Sequence, residues 1–273
     1  MSTPLCHVIR SRLAQHRRYQ PGGALLMAHL VLGYPSLEEN RRVIAQMVAN
    51  GVDLIELQIP FSEPIADGPV IARANHIALQ RGFRVRDGLA LIAEMTALHQ
   101  TPMLVMTYAN ILEAYGASAF IDDTARIGAR GLIVPDYPME ESNQLRKQSQ
   151  RLGLSWVALL TPTTADDRLR ELGTQAQGFC YCVARKGVTG KQTDFGRDLD
   201  TFIARCRRST DLPLAVGFGV KRAEDVRRLE GVADIVVVGT AAIEVQERSG
   251  TPAVGQFFAE LKASRNAERQ GNE

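Results

Sequence analysis

An α/β barrel is the fold that the sequence predicts: a single TIM (β/α)8 barrel with an extra N-terminal helix. Two observations lead there. Eight short apolar runs, near residues 25, 53, 103, 131, 155, 179, 214 and 234, alternate with helical patterns within 273 residues. No Gly-x-Gly-x-x-Gly joins the first run to its helix, which removes the usual dinucleotide signal of the alternative, a doubly wound open sheet. The barrel is assigned to residues 1–263, and the polar stretch 264–273 is expected to be a disordered tail.

Taken in order, residues 4–18 read as a helix ahead of the first strand, 25–31, which ends at the turn Gly33-Tyr34-Pro35. Ser36 caps a helix over 37–50 and Gly51 stops it. The second strand, 53–59, is rich in branched apolar residues and is stopped by Pro60. Helical patterns at 70–80 and 85–99 precede a strand at 103–107, entered through Pro102. A helix at 117–128 leads through Gly131 to a strand at 132–134, and Pro135-Asp136-Tyr137-Pro138 introduces a helix at 139–152. The rhythm continues with strands at 155–160, 179–183, 214–216 and 234–238, and with helices at 165–174, 198–209 and 221–230. Helical segments at 240–246 and 252–263 close the barrel.

Composition narrows the function classes. Hydrophobic residues make up 45% and charged residues 23%, with a net charge of +2, so a basic nucleic-acid surface is not indicated. The longest apolar run, residues 24–32, is interrupted by His29 and is too short to span a bilayer; with no secretory signal visible, a cytoplasmic protein is expected. Cys6, Cys180, Cys182 and Cys206 lack zinc-like spacing and are expected to be free thiols, with no metal bound.

Residues 53–69 carry the clearest chemical signal. Strand alternation puts Ile55, Leu57 and Ile59 on one face and Leu54, Glu56 and Gln58 on the other. A carboxylate and an amide in such a strand are costly to bury without partners or a task. The following loop, punctuated by Pro60, Pro64 and Pro69, brings Asp67 within reach of a ligand held by Glu56. Structural readings stand beside this one: Asp67 as a helix N-cap, and Glu56 as an ion-paired core carboxylate.

Barrel chemistry sits at the C-terminal strand ends, with a phosphate site after strands 7 and 8. Gly217-Phe218-Gly219 and Gly239-Thr240 fall there, and Gly187-Val188-Thr189-Gly190 follows strand 6. Glycines let backbone N–H groups approach an anion closely. Residues 185–196 read either as a lid that orders on ligand binding or as a surface loop. Tyr181, on the face shared with Phe179 and Val183, either walls the site or is a core aromatic, and Tyr108 is equally ambiguous.

These motifs make the chain similar to the tryptophan synthase α subunit across essentially its whole length. The resemblance rests on Glu-Leu-Gln-Ile-Pro-Phe-Ser-Glu-Pro-Ile-Ala-Asp-Gly-Pro at 56–69, Met-Thr-Tyr-Ala-Asn at 106–110, Val-Pro-Asp-Tyr-Pro-Met-Glu-Glu at 134–141, and the glycine motifs at 187–190 and 217–219. It implies a cofactor-free lyase that cleaves indole-3-glycerol phosphate to indole and glyceraldehyde 3-phosphate. The partner it implies is a pyridoxal-phosphate β subunit in an α2β2 assembly. By the same resemblance Glu56 is the catalytic acid–base, Asp67 holds the indole N–H, and Tyr181 walls the pocket. Gly190, Gly217, Gly219, Gly239 and Thr240 form the phosphate site, with Thr240 where a serine is usual.

The sequence also departs from that family. Gln58 stands at a usual glycine, His29 where an aromatic commonly faces the indole, and Glu63 at a usual aspartate in the loop facing the β subunit. Gln58 is expected to crowd the pocket and to donate to Glu56, favouring its ionised form; Gln58→Gly would then raise activity if indole-3-glycerol phosphate is a poor substrate of the native protein, whereas a slower variant of an efficient protein would mean that Gln58 positions Glu56. Other functions compatible with the pattern are a related phosphorylated substrate, a non-catalytic partner barrel, and an FMN-binding barrel with similar glycine clusters.

Overall fold

The computed structural model describes residues 3–183, 195–217 and 219–263. Eight parallel strands close into a barrel in sequence order: β1 Leu25–Val31, β2 Leu54–Gln58, β3 Met103–Met106, β4 Gly131–Ile133, β5 Ser155–Leu160, β6 Cys180–Val183, β7 Leu214–Gly217 and β8 Ile235–Val238. The last strand pairs with the first, Leu25 opposite Ile235. The (β/α)8 barrel is therefore the observed fold.

The period-2 pattern sorts the strands' side chains into two cores. Leu25, Met27, Leu54, Leu104, Met106, Ile133, Val157, Phe179, Ala215, Ile235 and Val237 fill the interior, while Leu26, Ala28, Ile55, Leu57 and Ile59 pack outward. Both sets are buried because strands lie inside a jacket of helices. The extra helix, Leu5–Tyr19, supplies Leu5, Ile9 and Leu13 to the interior cluster and so closes the N-terminal end of the barrel. The opposite end is left for ligands.

Several helices differ from the sequence expectation. The stretch after β3 holds two helices, Ala109–Tyr115 and Ala117–Arg126, divided at Gly116 with φ 93°. A seven-residue helix is too short to show a face by periodicity. The helix expected from 139 begins at Asn143, because Glu141 and Ser142 first turn back onto the Pro138 carbonyl. Phe195–Ser209 begins three residues earlier than expected. The two C-terminal segments run as Thr240–Ala263, kinked at Gly250 with φ 77° just before Pro252. Among the described residues no helix is long and apolar enough to cross a membrane. Cys6, Cys180, Cys182 and Cys206 are free thiols.

Candidate active site

Carboxylates occur at both ends of the barrel, and their surroundings separate structural from chemical roles. At the N-terminal end, Asp53 accepts from the Leu26 N–H at 2.9 Å. Asp234 accepts from the Leu214 N–H at 2.9 Å and pairs with Arg17 at 2.9 Å and Arg207 at 2.7 Å. Those groups are satisfied and tie strands to helices. Glu56 is different. It is buried at 2% exposure, faces the interior as alternation requires, and its Oε2 has no hydrogen-bond partner.

The β1–β2 register places His29 directly opposite Glu56. Its Nδ1 lies 3.4 Å from Glu56 Oε2, an ion contact too long and poorly aimed for a good hydrogen bond, and its Nε2 has no partner. Burial alone would lower the imidazole's pKa, but the Glu56 carboxylate, and behind it Asp67 and the Gln58 amide, raise it above 6.5. The sequence reading made His29 a pocket wall only. The available signal was the polar residue breaking an apolar strand.

Asp67 lies in the loop after β2 and is not the helix cap. Gly68 occupies that position and Pro69 opens the helix Pro69–Gln80, which leaves the carboxylate free for other partners. Gln58 Nε2 donates to Asp67 Oδ2 at 2.6 Å and the Tyr108 hydroxyl donates to the same oxygen at 3.0 Å. Tyr108 also accepts from the Ala66 N–H at 3.2 Å and stacks on Phe61 with ring centroids 5.0 Å apart. Phe61 is fixed in turn by its N–H to Asn75 Oδ1 at 2.9 Å. Desolvation raises the Asp67 pKa; His29, Gln58 and Tyr108 oppose that rise in part. Burial beside Asp67 holds the Tyr108 hydroxyl neutral. Tyr108 therefore acts beneath Asp67 rather than on the cavity wall.

This geometry corrects the expectation for Gln58. Its amide reaches across to Asp67 and not to Glu56, and at 0% exposure it occupies no open space. Residues two apart on one strand face stand roughly 7 Å apart, whereas the loop folds Asp67 back over the strand end. Gln58→Gly is accordingly expected to slow any reaction that needs an ordered, ionised Asp67, by roughly tenfold for one lost charge-assisted hydrogen bond of about 1.5 kcal/mol. Steady-state rates over a pH series check this, with the acidic limb moving upward in the variant.

His29, Glu56 and Asp67 open on one cavity of about 160 Å³, slightly larger than a cavity that holds benzene. Met106, Ile133, Leu159 and Tyr181 supply apolar and aromatic walls. Burial, with Glu56 and Asp67 nearby, raises the Tyr181 pKa well above 10.0, so it remains a phenol. Gly217, Gly219, Val220, Gly239 and Thr240 line the same cavity. A Cβ at Gly217 would press on the Tyr181 ring at 3.1 Å, and one at Gly239 would meet His29 at 3.3 Å, so these glycines make room for pocket side chains. Gly219 takes φ +65° beside open space. Thr240 begins the helix Thr240–Ala263; the Ala242 and Ile243 amides donate to the Gly239 carbonyl, and the helix N-terminus that remains at Thr240 and Ala241 favours an anion. Gly190 and residues 185–194 of the expected lid lie outside the described residues, as does the tail 264–273.

A parallel eight-stranded barrel with two buried carboxylates and a row of glycines at one cavity in its C-terminal mouth has the build of an acid–base enzyme site. Comparison with known proteins narrows this class: the family model "Tryptophan synthase alpha chain" matches residues 15–269. The chain belongs to the tryptophan synthase alpha chain family, a family of lyases. It is 48% identical over 238 residues to the tryptophan synthase alpha chain of Desulfotalea psychrophila, covering 87% of this chain and 94% of that one. The corresponding protein of Syntrophotalea carbinolica is 46% identical over 254 residues, covering 93% and 98%. The structure of Mycobacterium tuberculosis tryptophan synthase in space group F222 superposes with a TM-score of 0.86 at 32% identity, covering 97% and 98%.

Proposed function

We propose that this chain cleaves indole-3-glycerol phosphate to indole and glyceraldehyde 3-phosphate, the α-subunit step of tryptophan biosynthesis. The observation that carries the reading is Glu56, a buried carboxylate with an unpartnered oxygen, facing a cavity shared with Asp67 and with Gly217, Gly219 and Gly239. Retro-aldol cleavage needs a proton placed on indole C3 and a proton taken from the side-chain hydroxyl. Glu56 is the acid–base group for this exchange. Asp67, held through Oδ2 by Gln58 and Tyr108, keeps Oδ1 for the indole N–H and stabilises positive charge that develops on the ring. Met106, Leu159 and Tyr181 bound the ring, and Gly217, Gly219, Gly239 and Thr240 receive the phosphate, with Gly190 a further contributor.

The chemistry asks no cofactor of this chain. Its partner in this reading is a tryptophan synthase β subunit that carries pyridoxal phosphate and takes up the indole in an α2β2 assembly. A purely structural partner barrel fits less well, because an unsatisfied buried carboxylate costs stability and serves no scaffold. The test is indole release by the purified protein, alone and with a β subunit. Indole and glyceraldehyde 3-phosphate should form in equal amounts, faster with the β subunit. Intact substrate in both arms would refute the function.

A further inference from the structure

The cleavage proposed above requires an acid and a base, and a single glutamate has to change roles within each turnover. The barrel holds a second group at the same point. His29 and Glu56 are register partners on adjacent strands, 4% and 2% exposed, with 3.4 Å between Nδ1 and Oε2. Both residues line the cavity, and each has a buried atom, His29 Nε2 and Glu56 Oε2, without a hydrogen-bond partner. The titratable groups near this pair are Asp67 from the loop after β2 and the neutral phenol of Tyr181 from β6; Gln58 adds a polar amide. Burial lowers the pKa of this imidazole, but the two carboxylates outweigh that and raise it, favouring the charged form; as an imidazolium it has a proton to give while Glu56 has a lone pair to receive one.

We propose that His29 and Glu56 work as a dyad in which the His29 imidazolium protonates indole C3 and the Glu56 carboxylate removes the side-chain hydroxyl proton. The inference rests on the function proposed above and reassigns one of its two proton transfers, so that the C3 proton comes from His29 while Glu56 keeps the hydroxyl proton. In the first step the Nε2–H bond breaks and a C3–H bond forms, leaving neutral His29 and a ring cation whose N–H is held by Asp67. In the second step Glu56 takes the hydroxyl proton, the O–H pair becomes the aldehyde C=O, and the C3–side-chain bond breaks. Its electron pair returns to the ring nitrogen and regenerates aromatic indole. As products leave, Glu56 releases one proton to water and His29 takes one from it, so none is consumed. His29 contacts the reacting atom in this scheme and is a catalytic residue by that criterion.

The experiment compares native protein, His29→Phe and His29→Asn, measuring kcat and KM for indole release across pH. Native kcat is expected to fall as pH rises through a value above 6.5, where the imidazolium is lost. Both variants should lose about 10²-fold or more in kcat, with KM changed only a few-fold, and should lack that alkaline limb. Asparagine keeps a donor toward Glu56 but carries no transferable proton. Native-like kcat in His29→Asn would therefore show that His29 only positions Glu56, and would overturn the dyad. So would an alkaline limb that persists in either variant. Should His29→Phe not fold, the asparagine variant and ¹⁵N-imidazole titration decide: the His29 midpoint in the full chain should drop by more than one pH unit in Glu56→Gln. An unmoved midpoint overturns the coupling. If the native protein releases no indole with a β subunit present, the function itself fails, whereas native cleavage with unaffected variants removes the dyad alone.

Discussion

Glu56→Gln is expected to abolish indole release while leaving substrate binding almost unchanged. The substituted amide is nearly isosteric with the carboxylate, so the β2 strand and the 0%-exposed shell of Leu54, Ile55 and Leu57 around it need not move. What changes is chemistry: an amide neither takes nor gives a proton at the reacting centre. A positioned acid–base group contributes about 10²–10⁴-fold, and a group needed for a bond-breaking deprotonation reaches the upper end of that range. The substitution also leaves His29 without its counter-charge, at a 3.4 Å contact that normally favours the imidazolium. kcat should therefore fall by about 10⁴-fold, with the dissociation constant of a non-cleaved glycerol phosphate analogue within a few-fold of native. Near-native turnover in this variant would remove Glu56 from the mechanism.

Asp67→Asn should cost about 10²–10³-fold in kcat, the loss seen when one preorganised electrostatic contact to a developing charge is removed. Two effects act in the same direction. The negative charge opposite the indole N–H disappears, and the Gln58 and Tyr108 donors that converge on Oδ2 at 2.6 and 3.0 Å lose their ionic acceptor. The pH profile separates this residue from its neighbours. Burial raises the Asp67 pKa above 3.8, so in the native protein the rate falls as pH drops through that raised value and Asp67 takes up a proton. The asparagine variant has nothing to protonate there and should lack that acidic limb. An unchanged acidic limb would assign it to another group.

The parts of this account that were legible in the sequence are those that depend on local pattern. Alternation in residues 54–59 put Glu56 inward and Ile55, Leu57 and Ile59 outward, which is how the two cores divide. Eight repeats of strand and helix predicted a closed parallel barrel over a doubly wound open sheet, and the glycines at 217, 219 and 239 line the cavity at its C-terminal mouth. What depends on register was not legible. Nothing in the chain states that His29 sits opposite Glu56, because the offset of two strands 27 residues apart is fixed by barrel closure and not by either strand alone. Gln58 was misdirected for a related reason: its partner is set by the fold of the Pro-rich loop, which carries Asp67 back over the strand end. Tyr108 gained its role the same way, through the loop residues Ala66 and Asp67 that settle on it.

The central claim is that this barrel cleaves a carbon–carbon bond by placing a proton on indole C3. Turnover of indole-3-glycerol phosphate by the native protein in D₂O, with mass-spectrometric analysis of the freshly released indole, measures that event itself. Proton-transfer groups in an open cavity equilibrate with solvent, so the account predicts one deuterium at C3 of each indole, formed in step with one glyceraldehyde 3-phosphate. Indole released without deuterium at C3, or no indole at all, would contradict it.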